Sequence, residues 1–417
     1  MADREHPPRP RRIPGLLATE RVHSVPLDHA DPGGERIEVF TREVADPDGA
    51  DRPLLLFLEG GPGFEAPRPT RVGRAPPWLE RALSDFRVLL MDQRGTGRST
   101  PVGPIAGGDP VEQAGRLANF RADSIVADAE LIRAELGGEQ WSVLGQSFGG
   151  FCALRYLSAA PEGLREVMFT GGLPPLGETI DEVYAATFER MRERSRRYYE
   201  RYPEDRARVL ALLERLARDP IELPDGDVLH GRRLLSLGEM LGAAAGAESL
   251  HYILELDPDS AAFRHDVQAA FPFARNPLYA LVHEACWADG GRTRWSAQRM
   301  LGAIDGWGPE LFTGEHVFPW MFEDISELAP LRETAELLAE REWPALYDPA
   351  RLAANEVPAA AVVYAEDAYV ERRFSEQTAA RVGGLRMWLT NEFEHDGLRQ
   401  DGERVLGRLL DLVRGRR

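Results

Sequence analysis

Trp141-Ser-Val-Leu-Gly145-Gln-Ser147-Phe-Gly149-Gly150-Phe151-Cys-Ala-Leu-Arg-Tyr-Leu157 is the stretch on which the reading of this chain turns. An apolar run leads into Gly-x-Ser-x-Gly, and a second apolar run with helical character leads out of it. That string, set between a buried strand and a helix, is a nucleophile elbow: a strained turn that lifts a serine hydroxyl above the edge of a sheet. Gly145 and Gly149 leave the room so tight a crossing needs, which a Cβ at either position would obstruct. The string alone recurs by chance in glycine-rich turns, so the flanking strand and helix give it its meaning. Ser147 is the candidate nucleophile.

Working outward, the first third of the chain alternates apolar strands with helix-like segments, the pattern of an α/β architecture. Residues 36–44 alternate with period two, as a half-exposed strand does. Residues 53–58 and 86–91 are short, nearly continuous apolar runs, expected of strands buried on both faces. A helix is predicted over 124–136 with Asp123 as its cap, then the elbow strand, then a strand over 165–170. From about 176 to 345 the periodicity turns helical, with amphipathic segments over 182–202, 205–218, 234–247 and 332–339. The alternation resumes with a strand over 359–364, a helix over 370–382, a strand over 385–390 and a helix over 402–414. The expected organisation is a mostly parallel sheet interrupted by a helical cap: core over 1–175, cap over 176–345, second part of the core over 346–417. The first dozen residues, rich in proline and arginine, are expected to be disordered.

Composition narrows the function. A chain of 417 residues supports a substantial core, and two cysteines, Cys152 and Cys286, are too few for a disulfide framework or a Cys-rich metal site. A net charge of −18 argues against the basic face that phosphate binding needs, so no nucleic-acid partner is expected. Every basic residue is arginine. Residues 174–345 hold 31 acidic residues against 19 arginines, a net of −12, which favours cationic substrates or simply keeps the surface solvated. No secretory signal is read at the N-terminus, and no apolar run is long enough to span a bilayer. The expectation is a cytoplasmic protein with no membrane association. Nothing in the sequence fixes an oligomeric state.

A serine hydroxyl becomes a good nucleophile only when a histidine takes its proton and a carboxylate holds that imidazole in one tautomer. In the α/β-hydrolase fold the partners follow in the order serine, acid, histidine, each after a late strand. The predicted strand ending at Tyr364 runs into Ala365-Glu-Asp-Ala368, and the one ending at Thr390 into Asn391-Glu-Phe-Glu-His395-Asp-Gly397. Asp367 and His395 fill those slots, with Glu366 as the alternative acid. For the oxyanion, the backbone amide of Phe148 is one donor; Glu59-Gly-Gly-Pro-Gly63, directly after an early strand, offers Gly61 as the second. Neither a metal nor an organic cofactor is required by this chemistry. Asp92 and Arg94, in Asp92-Gln-Arg-Gly-Thr-Gly97, are read as structural.

Together, Glu59-Gly-Gly-Pro-Gly-Phe64, Asp92-Gln-Arg-Gly-Thr-Gly97, Gly145-Gln-Ser-Phe-Gly-Gly-Phe-Cys152 and the late Asp367 and His395 resemble the proline iminopeptidases of the α/β-hydrolase superfamily. The resemblance runs from about residue 20 to the end. One departure is Glu59, where many relatives carry His or Gln; its carboxylate is expected to turn away from the oxyanion loop. The resemblance implies an exopeptidase that removes N-terminal proline from small peptides, with cap carboxylates receiving the free amine. It points to Glu284, in Asn276-Pro-Leu-Tyr-Ala-Leu-Val-His-Glu284-Ala-Cys-Trp287, and to Glu315 or Glu323, in Phe312-Thr-Gly-Glu315-His-Val-Phe-Pro-Trp-Met-Phe-Glu323. Tyr279, Trp287, Phe318 and Trp320 are candidates for an apolar wall. An esterase or amidase acting on another small acyl group is the alternative, since fold and triad do not set the substrate. A non-catalytic binding protein on the same scaffold is a further one.

Overall fold

The structure, a computed structural model, describes residues 9–72, 75–102, 108–271, 273 and 275–416. A nine-stranded sheet forms its base: β1 (Arg9–Ile13), β2 (Leu16–Pro26), β3 (Arg36–Ala45), β4 (Leu54–Leu58), β5 (Arg87–Asp92), β6 (Trp141–Gln146), β7 (Leu164–Thr170), β10 (Ala359–Tyr364) and β11 (Leu385–Thr390). β8 (Ile221–Glu222) and β9 (Val228–Leu229) form a separate small hairpin. The spatial order is β1-β2-β3-β5-β4-β6-β7-β10-β11. The six strands from β5 to β11 in that order run parallel, and β1, β2 and β3 are joined to them antiparallel. The sequences follow this placement: β4 and β10 are apolar nearly throughout and buried, β6 is buried along its whole length, and β11, at the edge, is largely exposed.

Two expectations are corrected. The first dozen residues are not wholly without structure: residues 1–8 lie outside the described residues, but Arg9–Ile13 pair with Leu16–Glu20 as β1. The predicted helix over 234–247 is three pieces, a short helix Gly231–Leu235, a 3₁₀ segment Ser236–Gly242 and a helix starting at Gly246. Glycine is a poor helix residue, and here it is used for close approach. A Cβ at Gly238 would lie 2.2 Å from the Thr313 carbonyl oxygen, and one at Gly242 would lie 2.1 Å from the Tyr369 ring.

The cap leaves the sheet after β7 and returns before β10. Its first helix, Ile180–Arg201, opens with a capping box between Thr179 and Glu182 and continues through Pro203–Arg218. Part of the cap has its own apolar cluster, including Met191, Tyr198, Val209, Leu250 and Phe312. The rest, including Tyr279, Trp287 and Phe318, belongs to the same cluster as the sheet and the elbow helix. The cap is therefore docked by continuous packing as well as by its two connections. No helix among the described residues is long and apolar enough to cross a membrane.

Candidate active site

Ser147 stands at the turn between β6 and the helix Phe148–Ala159, with φ 52° and ψ −125°. A non-glycine residue held there stores about 1–3 kcal/mol of backbone strain, which the surrounding packing must over-determine. Around it, glycines let three chain segments meet: a Cβ at Gly149 would lie 2.0 Å from the Leu58 carbonyl oxygen, and one at Gly172 would lie 2.1 Å from that of Ser147. The Ser147 amide donates to the Thr170 carbonyl at 2.9 Å, which ties the turn to β7.

The loops after β10 and β11 bring the other two candidates to this turn. His395 Nε2 lies 2.9 Å from Ser147 Oγ, and His395 Nδ1 lies 2.8 Å from Asp367 Oδ2. The other carboxylate oxygen of Asp367 accepts the backbone N–H groups of Tyr369 and Val370, at 2.8 and 3.0 Å. Asp367 is 2 % exposed, His395 7 % and Ser147 8 %, so the acid is sealed while the hydroxyl keeps a small opening. The Tyr369 ring meets the imidazole edge-on at 4.7 Å, and the His395 N–H donates to the Gly242 carbonyl at 3.1 Å. The alternative acid, Glu366, points elsewhere: it pairs with Arg197.

Gly61 has φ 121°, a conformation that favours glycine, and the Gly60 N–H beside it is already taken by Glu59 Oε1 at 2.9 Å. Contrary to expectation, the Glu59 carboxylate does not turn away from this loop: it folds back onto the Gly60 amide, where Oε1 also accepts Arg399, from the short helix Gly397–Gln400, at 3.1 Å. Among the described residues neither the Gly61 nor the Phe148 amide donates to a protein acceptor, leaving both available to an oxyanion. Arg94 is fully buried and spends its donors on Asp128 and on the carbonyls of Pro26, Leu27 and Asn119.

The cap candidates separate. Glu315 accepts the Tyr279 hydroxyl at 2.8 Å, and burial, with the charges of Glu239 and Asp367 adding to it, holds its carboxyl well above the usual range. Glu239 lies on the other side of the same hydroxyl, at 3.3 Å, and burial pushes it up to about 7. Its backbone carbonyl accepts the Tyr369 hydroxyl, so it stands one side chain away from His395. Glu284 is buried and pushed up to about 7 by desolvation; one oxygen accepts the Ala297 N–H at 2.9 Å and the other has no protein partner. Glu323 is not brought to this cluster: its side chain is 44 % exposed and pairs with Arg332. Of the aromatic candidates, Tyr279 packs against Phe64 beside the oxyanion loop, and Trp287 against Phe151 of the elbow helix. Phe318 and Trp320 stack on one another.

Sequence reading missed Glu239, because it assigned the residue to one face of a regular helix. The signal was present in Gly238, Gly242 and Gly246, too many glycines for a helix interior and a mark of close packing.

Residues 53–209 match the family model for the alpha/beta hydrolase fold. The chain is 47 % identical over 421 residues to a proline iminopeptidase of Aeromonas sobria, covering 96 % of this chain and 98 % of that one. It is 34 % identical to a proline iminopeptidase of Aspergillus aculeatus, covering 97 % and 95 %.

Proposed function

The chain belongs to the proline iminopeptidase family of the α/β-hydrolases, and from that premise we propose that it is a serine exopeptidase releasing N-terminal proline through an acyl-enzyme. Ser147 Oγ attacks the prolyl carbonyl as His395 Nε2 takes its proton, and Asp367 holds the imidazolium that forms. The Gly61 and Phe148 amides receive the oxyanion; His395 then protonates the departing amine, and water, activated by the same imidazole, releases proline. The observation that carries this reading is the unbroken chain Ser147–His395–Asp367, at 2.9 and 2.8 Å.

An N-terminal proline presents a cationic secondary amine beside the scissile carbonyl. We assign its recognition to Glu315 and Glu239, which share the Tyr279 hydroxyl, with Glu284, buried on the helix that carries Tyr279, as a further candidate. Carboxylates whose ionisation burial disfavours gain most from a bound cation, which restores their charged state and is itself held by charge-assisted hydrogen bonds. Residues 176–345 thus act as the cap that selects the substrate, over a catalytic base built from 1–175 and 346–417. Two unpaired buried thiols, Cys152 and Cys286, fit a reducing compartment and hence the cytoplasm.

Purified protein offered prolyl, alanyl and short acyl-ester chromogens is expected to cleave the prolyl compound fastest, and a fluorophosphonate is expected to label Ser147. A clear preference for the acyl esters would replace the peptidase reading by that of an esterase. Absence of labelling in a protein that still turns over substrate would remove Ser147 from the mechanism.

A further inference from the structure

The cap helix Ile180–Arg201 presents Arg190, Arg194 and Arg197 along one side, at spacings of four and three that bring side chains onto a common face. All three reach down to the two loops that carry Asp367 and His395. Arg190 is bidentate to Glu371 at 3.1 Å, and Arg197 pairs with Glu366. Arg194 does more. Its Nη1 donates to Glu394 Oε1 at 2.9 Å, while its Nη2 donates both to Glu394 Oε2 and to the backbone carbonyl of Glu366. Glu394 immediately precedes His395, and Glu366 immediately precedes Asp367. The Arg194 side chain is 10 % exposed, so water and salt screen this contact less than they would one on the surface.

We propose that Arg194 is a positioning residue: its guanidinium fork, gripping Glu394 and the Glu366 carbonyl together, fixes the distance between the histidine loop and the acid loop. The proposal rests on the reading that Asp367 and His395 act on Ser147. A guanidinium suits the task because its planar set of donors can satisfy a carboxylate in bidentate fashion and still reach a second acceptor, which an ammonium cannot do in one geometry. Each loop also has anchors of its own. Asp367 is held by the Tyr369 and Val370 amides, and the His395 N–H by the Gly242 carbonyl. Losing the fork should therefore relax the relative placement of the two loops without unfolding either. Arg196, exposed on the same helix, pairs among the described residues with Glu193 and Glu200 of its own helix and provides the matched control.

The test compares Arg194→Met, Arg194→Lys and Arg196→Met, measuring kcat and KM on a prolyl chromogen and the rate at which a fluorophosphonate labels Ser147. Arg194→Met is expected to lower kcat and the labelling rate together, by roughly ten- to hundred-fold, because small misplacements of a catalytic group cost that much. KM is expected to change far less, since the amine-binding carboxylates are untouched. The lysine variant should fall between, and Arg196→Met should match the wild type. Should Arg194→Met not fold, Glu394→Gln opens the same fork from its other end and is expected to give the same pattern. A rise in KM with kcat and labelling intact would reduce Arg194 to a cap anchor and overturn the proposal, as would parity between the Arg194 and Arg196 variants. Wild-type protein that turns over substrate with Ser147 unlabelled overturns the triad reading itself, and this proposal with it.

Discussion

The elbow and the cap cluster hold their polar groups on opposite terms. At the elbow, both oxygens of Asp367 are engaged and the imidazole is held at each nitrogen. In the cap cluster, Glu239 and Glu315 share a single hydroxyl. A fully satisfied network is rigid and ready for chemistry that is the same whatever the substrate. An under-satisfied one is costly in the free protein and recovers that cost only when a cation arrives. On the proposed reading, reactivity and recognition are separated in space and in energetic character.

Three variants test the contrast, from the most damaging to the least. Ser147→Ala should cost on the order of a millionfold in kcat while leaving the fold and prolinamide binding in place, as removing a nucleophile from an acyl-transfer triad does; a folded alanine variant with near-normal turnover would abolish the division of labour at its reactive end. Glu315→Gln and Glu239→Gln should lower kcat/KM on prolyl substrates by about ten- to hundred-fold, the worth of one charged hydrogen bond, and leave a short acyl ester nearly unaffected. Equal losses on both substrates would show that the carboxylates serve the chemistry rather than the amine.

The same variants carry a pH signature. Burial raises Glu239 from 4.5 to about 7, so between those values the folded protein binds a proton that the unfolded chain has released. Stability from this group is therefore highest below about pH 4.5, falls as pH rises toward 7 and then levels off. Glu239→Gln, which resembles the protonated acid, should melt higher than wild type at about pH 8, with the gap closing in mild acid. The smallest effect is expected at Glu323→Gln, where an exposed pair with Arg332 is lost: kcat/KM and stability should stay within about 0.5 kcal/mol of wild type.

Legibility in the sequence follows the same division. Strand β10 is legible to the residue because a parallel strand buried on both faces leaves an uninterrupted apolar run; β11, exposed at the edge, is marked instead by apolar residues at alternate positions, and chain order then offers one histidine after them. β2 escaped notice although it is the longest strand. Its alternation is masked by buried polar residues: Glu20 is paired with Arg42 and Arg98, and His23 is bonded to Thr41. The cap cluster was only half legible, since Glu315 and Glu239 come from an irregular loop and a 3₁₀ turn, and their meeting at Tyr279 is made by tertiary packing that no local period records.

The point at which the cap leaves and rejoins the sheet has a consequence for how specificity can change. β7 and β10 are adjacent and parallel, so the excursion leaves the carboxyl end of one strand and lands at the amino end of its neighbour, three residues further back in register, roughly 10 Å along the strands. An inserted unit that replaces one crossover between neighbouring strands can change in size without disturbing the register of its host. Recombination between related genes at those two seams could therefore exchange the whole recognition module and leave the hydrolytic machinery intact.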